Sequence, residues 1–489
     1  MNDKTTNIKL EKKKKLTINY LYNLSFQFFA IIVPIITTPY ISRVLGAEKI
    51  GVYSYTLSIS TYFIVAGSLG FPLYGQREIA YNSDNRVARS KCFFEIIYGQ
   101  IFFLMLALIS YFCFVIIADS QHKDVFIAQS VGIIGGVLAT SWFYLGIEEF
   151  KVTAAKNIIV KIVGIIGLFA FVKQPSDLVV YTVIIGASNL FGNLAIIFGI
   201  RKYVDFSYYR CSAKDIFKHV KPAFILGVPY YITSIYAVID KTMLGLLGTG
   251  YAEVGYYEQS QKIVILVITV ITSIGTVLMP RLASEFSNNN DKAVRFYLNK
   301  GTEICVMLGT PIMFGILLLA ASIVPWFFGE GFEKVTLLLK LFSPLALVMG
   351  LSNLIGTQYL TVSKREKELT ITILVSVIIN CCLNALLIPK FDSVGATIAT
   401  LLAEILKLLI QMFIIRDIID IKGIMCSVLK YSLVGMAMYI VVLFFRDNCF
   451  SIPNIINSVI LCLVGALTYC LILIMIRDKN IINYLSRKR

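Results

Sequence analysis

The chain has 489 residues, of which 57% are hydrophobic and only 15% charged, with a mean hydropathy of +0.78. A composition this apolar excludes a water-soluble protein of such length and indicates an integral membrane protein. The formal charge of +16 has no soluble basic module to carry it, which excludes a nucleic-acid-binding protein.

The basic stretch Glu11 to Lys15 opens a first apolar run with no small-residue cleavage site, too long for a signal-peptide core, so this run is expected to stay as a helix. Runs of about 18 to 25 residues, each able to cross a bilayer core of about 30 Å, then recur along the chain. We count about fourteen. They span 17–42, 48–70, 93–117, 126–147, 157–172, 178–200, 223–247, 254–279, 301–323, 335–361, 369–388, 394–416, 427–445 and 454–476. With the N-terminus in the cytoplasm, about 33 Lys and Arg fall on the cytoplasmic side and about 7 on the other, which predicts fourteen helices with both termini cytoplasmic. Topology and attraction to the anionic inner leaflet thus absorb most of the positive charge. The cysteines show no metal-ligand spacing, and most, such as Cys305, Cys381, Cys382, Cys462 and Cys470, lie within apolar runs as small hydrophobes.

The chain also repeats itself. Leu45-Gly46 matches Leu247-Gly248, Gly51 matches Gly255, and residues 76–94 match 280–298, setting Arg77 against Arg281. Further on, Tyr144 matches Tyr359 and Asp177 matches Asp392, all at offsets of about 200 to 215 residues. Each repeat holds an even number of runs, so both enter the membrane from the same side. The expected fold is all-α and polytopic, with two parallel six-helix bundles related by a pseudo-twofold axis along the membrane normal, plus two C-terminal helices. The expected divisions are a cytoplasmic basic tail (1–16), the N-terminal bundle (17–200), a cytoplasmic linker (201–222), the C-terminal bundle (223–416), extra helices (417–476) and a second basic tail (477–489).

Ionisable groups at membrane depth are costly and usually face a cavity. Arg43, Lys161, Asp240, Lys241, Glu258, Lys262, Lys340, Glu404 and Lys407 are such groups, six cationic against three anionic. This balance suits a diphosphate better than a cationic drug. Glu258 with Lys262 and Glu404 with Lys407 have helical spacing, so each is either cavity lining or a self-neutralised pair. Lys340 and Lys161 lie near membrane boundaries and either line a cavity or snorkel. Arg43 and Lys241 precede the repeated Leu-Gly segment and are read as gate lining, while Asp240 either neutralises its surroundings or carries a coupling proton or sodium ion. Gly46, Gly51, Gly248 and Gly255 bracket the repeated turn, and Pro34, Pro39, Pro222 and Pro229 mark kinks, so each repeat is read as carrying a bending gate. Glu148 either organises the cytoplasmic mouth, with Arg77 and Arg281, or caps its loop. Trp142, Phe143 and Tyr144 either stack on sugars or form an interfacial belt.

Several segments, Arg43–Tyr55, Phe71–Ala80, Trp142–Val152, Ile239–Ile263 and Met279–Phe286, resemble the Wzx-type polysaccharide flippases of the multidrug/oligosaccharidyl-lipid/polysaccharide exporter superfamily. The resemblance covers nearly the whole chain and thins beyond about residue 420. It implies a non-enzymatic, cofactor-free protein of the bacterial plasma membrane that moves undecaprenyl-diphosphate-linked oligosaccharide between leaflets by alternating access. It further implies contact with membrane lipids, a polysaccharide polymerase as a possible partner, and a place for the lipid tail at helices 13 and 14. An ion-coupled multidrug exporter of the same superfamily is the alternative. A membrane enzyme of polysaccharide assembly is the lesser one, since the only histidines, His122 and His219, fall in expected loops on opposite sides of the membrane.

Overall fold

The computed structural model describes residues 2–118, 121–449, 454–478 and 480, with side chains from residue 32 onward and at Phe29, save that of Cys449. The expected tails at 1–16 and 477–489 lie outside these side chains except at Arg477, Asp478 and Asn480. In lipid, a backbone must satisfy its own hydrogen bonds, and these apolar runs do so as helices. Helices α1 (Asn2–Ser68), α2 (Phe71–Tyr81), α3 (Arg86–Ile117), α4 (Lys123–Val137), α5 (Ser141–Gly146), α6 (Phe150–Phe171), α7 (Leu178–Ile200), α8 (Ala213–Phe217) and α9 (Val220–Leu247) come first. They are followed by α10 (Tyr251–Ser287), α11 (Asp291–Phe328), α12 (Glu333–Phe342), α13 (Leu345–Ser352) with a π turn (Asn353–Leu360), α14 (Glu366–Ile414), α15 (Ile421–Cys449) and α16 (Ile455–Met475).

Among the described residues, eleven helices are long and apolar enough to cross a membrane, or twelve if the pair Glu333–Phe342 and Leu345–Leu360, bent by 44°, is one span. The expected count is fourteen. Two of the long helices are pairs joined end to end. Gly46, at φ +73° and ψ 171°, interrupts α1, and Asp392, at φ +50° and ψ −129°, interrupts α14. Both joins fall where turns are expected between neighbouring apolar runs.

The chain divides into two compact units, Met1–Thr242 and Met243–Arg489. In the first, α7 packs against α4 and α6, and α1 against α3. Small residues permit the approach: a Cβ on Gly192 of α7 would stand 2.1 Å from Val160 of α6, and one on Gly67 of α1 would stand 2.7 Å from Ala107 of α3. Helix α4 stops at Val137 and the chain restarts as α5, leaving carbonyls without helical donors. Gln100 of α3 donates to three of them, those of Gly136, Val137 and Ala139, and its own carbonyl oxygen accepts from Trp142 Nε1 at 2.9 Å. Trp142, Phe143 and Tyr144 are therefore core residues, at 3%, 0% and 1% exposure, rather than an interfacial belt or a sugar platform.

Helix α9 is fastened along its length in this unit. At its start, buried His219 shares a 2.8 Å hydrogen bond with Tyr74 of α2 and another of 2.8 Å with Glu95 of α3, whose carboxylate also lies 2.9 Å from Lys218. The expected loop histidine is thus a packing element. Farther along, a Cβ on Gly70 would meet Ala223 O at 2.3 Å and Gly227 Cα at 2.8 Å. Near the unit's end, Thr242 bonds Ser58 at 2.8 Å and Tyr62 at 2.7 Å. Gly70 also sits at φ +72°, so Gly70→Ala faces both backbone strain and a backbone collision. The expected cost is about 3 kcal/mol, read as a lower melting temperature in detergent; an unchanged melting temperature would rule out the close approach.

In the second unit the core gathers α10, α11, α13, α15 and α16 around Cys305, Tyr431 and Tyr469. Cys382, Cys462 and Cys470, in contrast, lie on exposed helix faces. Asp478, expected in a solvated tail, is buried and accepts from Tyr431 Oη at 3.0 Å and from Lys430. Burial pushes its carboxyl up, but Lys430, the Asn480 N–H and Tyr431 outweigh this and hold it below the usual carboxylate range.

Two pairs of helix ends near the matched sequence segments share local geometry. Glu149 N–H donates to Tyr144 O at 2.8 Å past a left-handed Glu148, and Arg365 N–H donates to Leu360 O at 2.8 Å past a left-handed Lys364, an offset of 365 − 149 = 216 residues. Both are helix ends closed by a six-to-one hydrogen bond. Likewise Asn85 caps α3, accepting from Val87 and Ala88 N–H, and Asn290 caps α11, accepting from Ala293 N–H. Each structural match is one residue beyond the sequence alignment.

Candidate functional site

In the first unit, α1, α6 and α7 enclose a recess of about 290 Å³. Thr37, Asn157, Tyr181, Ser188 and Asn189 supply hydroxyls and amides, Lys161 supplies the charge, and no carboxylate is among the described lining residues. A second lysine lies close by. Lys156 Nζ donates to Ser141 Oγ at 3.0 Å and Asn193 Oδ1 at 3.1 Å, and Asn193 in turn donates to Gly135 O at 2.8 Å. Its side chain is therefore solvated by neutral dipoles. The expected helix begins at residue 157, which sets Lys156 in a loop; the helix in fact begins at Phe150. The only signal in the sequence is the lysine itself, one position before the apolar run.

The other candidates on this unit are spread out. Arg43 is exposed three residues before the Gly46 break, Asp240 is 3% exposed, and Lys241 is half-buried. Asp240 and Lys241 are held in position by the anchored Thr242 beside them. Arg77 is exposed, stacks over Tyr74 and lies 3.3 Å from Glu78, and Glu148 is exposed in the left-handed turn that ends α5.

In the second unit, Lys262 lies 3.1 Å from Glu258 on α10, and Lys407 lies 2.7 Å from Glu404 on α14. Helical spacing thus becomes contact in both cases. Glu404 is 2% exposed, and the neighbouring turn of α14 is tied to α10 by a 3.0 Å bond between Tyr257 and Thr400. Lys340 is exposed in the last turn of α12, and Arg281 is exposed toward the end of α10.

The expected hinges divide into two kinds. Gly46 is a true helix break, with nothing within 4 Å of a Cβ placed on it. Pro34 and Pro39 sit inside α1, Pro222 in the first turn of α9 and Pro229 in its interior. Gly51 and Gly255, however, are buried within helices rather than at the turns, because each helix restarts upstream of its glycine. The turn at Gly248 is clamped: Asp392 accepts from Thr249 N–H at 2.8 Å and Thr249 Oγ1 at 3.0 Å. Beside it, the Glu253 carboxylate accepts from Lys334 Nζ at 2.7 Å and from Ser393 N–H at 3.2 Å. The two repeated turns are therefore unlike: one breaks at a left-handed glycine with space for a Cβ, and the other is held by two carboxylates. Neither Glu253 nor Lys334 stands out in the sequence, since a lone acid and a lone lysine in loops read as solvated.

An apolar groove of about 460 Å³ lies among α10, α11, α15 and α16, lined by residues such as Ile263, Pro311, Gly315, Met438, Val442 and Gly465. Its composition suits a hydrocarbon chain.

The fold and these features define a multi-pass, all-helical membrane protein with buried charge and no extramembrane domain among the described residues. The family described as "Polysaccharide biosynthesis protein" matches residues 16–286. The "Putative O-antigen transporter" of Escherichia coli (strain K12) is 24% identical over 408 residues, covering 83% of this chain and 98% of that protein. The "Probable low-salt glycan biosynthesis flippase Agl15" of Haloferax volcanii is 23% identical over 286 residues, covering 58% and 57%. Among solved structures, "Lipid II flippase MurJ, inward closed conformation" superposes with a TM-score of 0.76 at 20% identity, over 94% of this chain and 99% of that one, a likeness of fold. The chain belongs to the polysaccharide biosynthesis protein family, as a Wzx-type member of the multidrug/oligosaccharidyl-lipid/polysaccharide exporter superfamily.

Proposed function

We propose that the protein is a flippase for lipid-linked oligosaccharide, carrying undecaprenyl-diphosphate-linked repeat units across the bacterial plasma membrane for surface polysaccharide synthesis. The observation that carries this reading is family membership together with the likeness to a named O-antigen transporter over nearly that protein's whole length. The local chemistry supports it. The Lys161 recess of the first unit, with no carboxylate among its described lining residues, suits phosphate, and by itself the groove of α10, α11, α15 and α16 in the second unit suits a hydrocarbon chain.

The working scheme is alternating access between two six-helix bundles, with the helix break at Gly46 as a bending point. Arg43, Lys161 and Lys241 neutralise phosphate charge, and Asp240 carries the coupling proton or sodium ion. Both termini face the cytoplasm, as the lysine and arginine bias supports. The protein performs no covalent chemistry in this scheme, and a polymerase receives its product. Export of cationic drugs is the weaker reading, because such cargo calls for acids that the Lys161 recess lacks.

The test is the leaflet location of the lipid-linked oligosaccharide in right-side-out vesicles, probed with a membrane-impermeant sugar-modifying enzyme. Deletion of the gene is expected to leave the units protected inside. If they stay accessible and merely fail to polymerise, the protein acts after translocation and the flippase reading is wrong.

A further inference from the structure

The segment between α7 and α9 forms, together with the start of α3, a second cationic site. Arg86 and Arg201 line a recess of about 420 Å³ together with Val204, Asp205 and Phe206. Its walls are tied together by hydrogen bonds. Arg89 donates to Ser83 O at 2.6 Å and to Tyr203 O at 2.8 Å, while Asp205 N–H donates to Ser90 Oγ at 2.8 Å. The segment is thereby fixed to the first turns of α3, with Val204 buried beneath it.

The charges are unequally matched. Arg86 attracts the Asp205 carboxylate without closing an ion pair, and Arg201 makes no ion pair with a described residue. Asp205, the one carboxylate among the described lining residues, also accepts the Ser207 N–H at 2.9 Å through Oδ1. Two guanidinium groups against one engaged carboxylate leave the recess cationic, and arginine favours phosphate through its planar donors.

The depth of the recess indicates where the phosphate comes from. Arg201 directly follows α7, a 23-residue apolar helix, so it emerges at headgroup level. Phe198, in the last turn of α7, is 68% exposed, and Phe206 and Tyr209 are 45% and 46% exposed. The Arg201 guanidinium stacks 5.8 Å from the Phe206 ring. Exposed aromatics beside cations at the end of a spanning helix are the arrangement that sits among lipid headgroups.

We propose that the recess between Arg86 and Arg201 binds the phosphate of an anionic membrane phospholipid, a site separate from the transport path. The lipid's phosphodiester sits between the two guanidinium groups while Phe206 and Tyr209 contact its upper acyl region. A bound lipid would brace the 201–219 segment that leads into α9.

The site is tested with the purified full chain in detergent, titrated with phosphatidylglycerol, phosphatidylcholine or inorganic phosphate, and bound lipid is counted by native mass spectrometry. The double variant Arg86→Gln/Arg201→Gln is compared with Lys292→Gln/Lys367→Gln, which removes equal charge from exposed positions elsewhere. The expected result is about 10-fold weaker retention of phosphatidylglycerol in the arginine variant only, with phosphatidylcholine binding weakly to all. Equal retention by the arginine variant and the wild type would overturn the proposal, as would equal losses in both double variants, since binding would then follow net charge. Displacement of phosphatidylglycerol by inorganic phosphate at matching concentration would overturn the lipid assignment in favour of a soluble phosphate. Both arginines are exposed, so folding is expected to survive, and an unchanged melting temperature in lipid-free detergent checks it. No transport enters the readout, so this result and the flippase test stand or fall separately.

Discussion

Replacing Lys161 with Glu is expected to abolish export of surface polysaccharide while leaving the protein inserted in the membrane. Among its described lining residues the recess has hydroxyls and amides, and Lys161 as the one charged side chain, so the substitution reverses the sign of that charge. On the proposed path Lys161 makes a charge-assisted hydrogen bond to a substrate phosphate, which the substitution removes. Such a bond is worth about 1.5 to 3 kcal/mol, or about 10- to 150-fold in transport rate if it is made on the translocation path. Lys161→Met, which keeps the apolar stem, should show that decrease, and Lys161→Glu a larger one through repulsion. Complementation of a deletion strain, with membrane abundance checked by immunoblot, reads both. Export at wild-type level by the Glu variant would remove the recess from the substrate path and leave Arg43 and Lys241 as the remaining phosphate candidates.

The reach of sequence reasoning follows the range of the interactions involved. The breaks at Gly46 and near Asp392 were legible because they are local, a glycine able to take positive φ and an acid between two apolar runs. The pairs Glu258–Lys262 and Glu404–Lys407 were legible for the same reason, since helical periodicity alone sets their contact. The role of Trp142 was not, because it depends on Gln100, 42 residues away in another helix. His219 looks like a loop residue in the absence of Tyr74 and Glu95, 145 and 124 residues distant. The clamp on Thr249 depends on Asp392, 143 residues on, and turns two repeats of similar sequence into turns of different freedom. Lys156 escapes notice at a helix boundary, the least secure feature of any hydropathy reading, because an apolar window starts after the polar first turn that begins the helix.

Removing one member of the Glu404–Lys407 pair is expected to cost about 3 to 5 kcal/mol and to lower the amount of folded protein sharply, because the attraction that offsets the burial of the remaining charge is lost. Glu404 is 2% exposed and the Lys407 side chain 12%, so water cannot take the place of the missing ion. Removing both charges together is a different perturbation. Glu404→Leu/Lys407→Met keeps the volume and eliminates the desolvation cost, and it is expected to melt near the wild-type temperature. This contrast separates structure from transport. The two residues face each other three positions apart on one helix, and each offsets the other's charge. The double variant is therefore expected to export within about two-fold of wild type, since each member's effect is spent on the other. If it folds and fails to export, the pair lies on the substrate path, and the net cation excess inferred from the sequence must be recounted with Lys407 contributing its charge to the cargo rather than to Glu404.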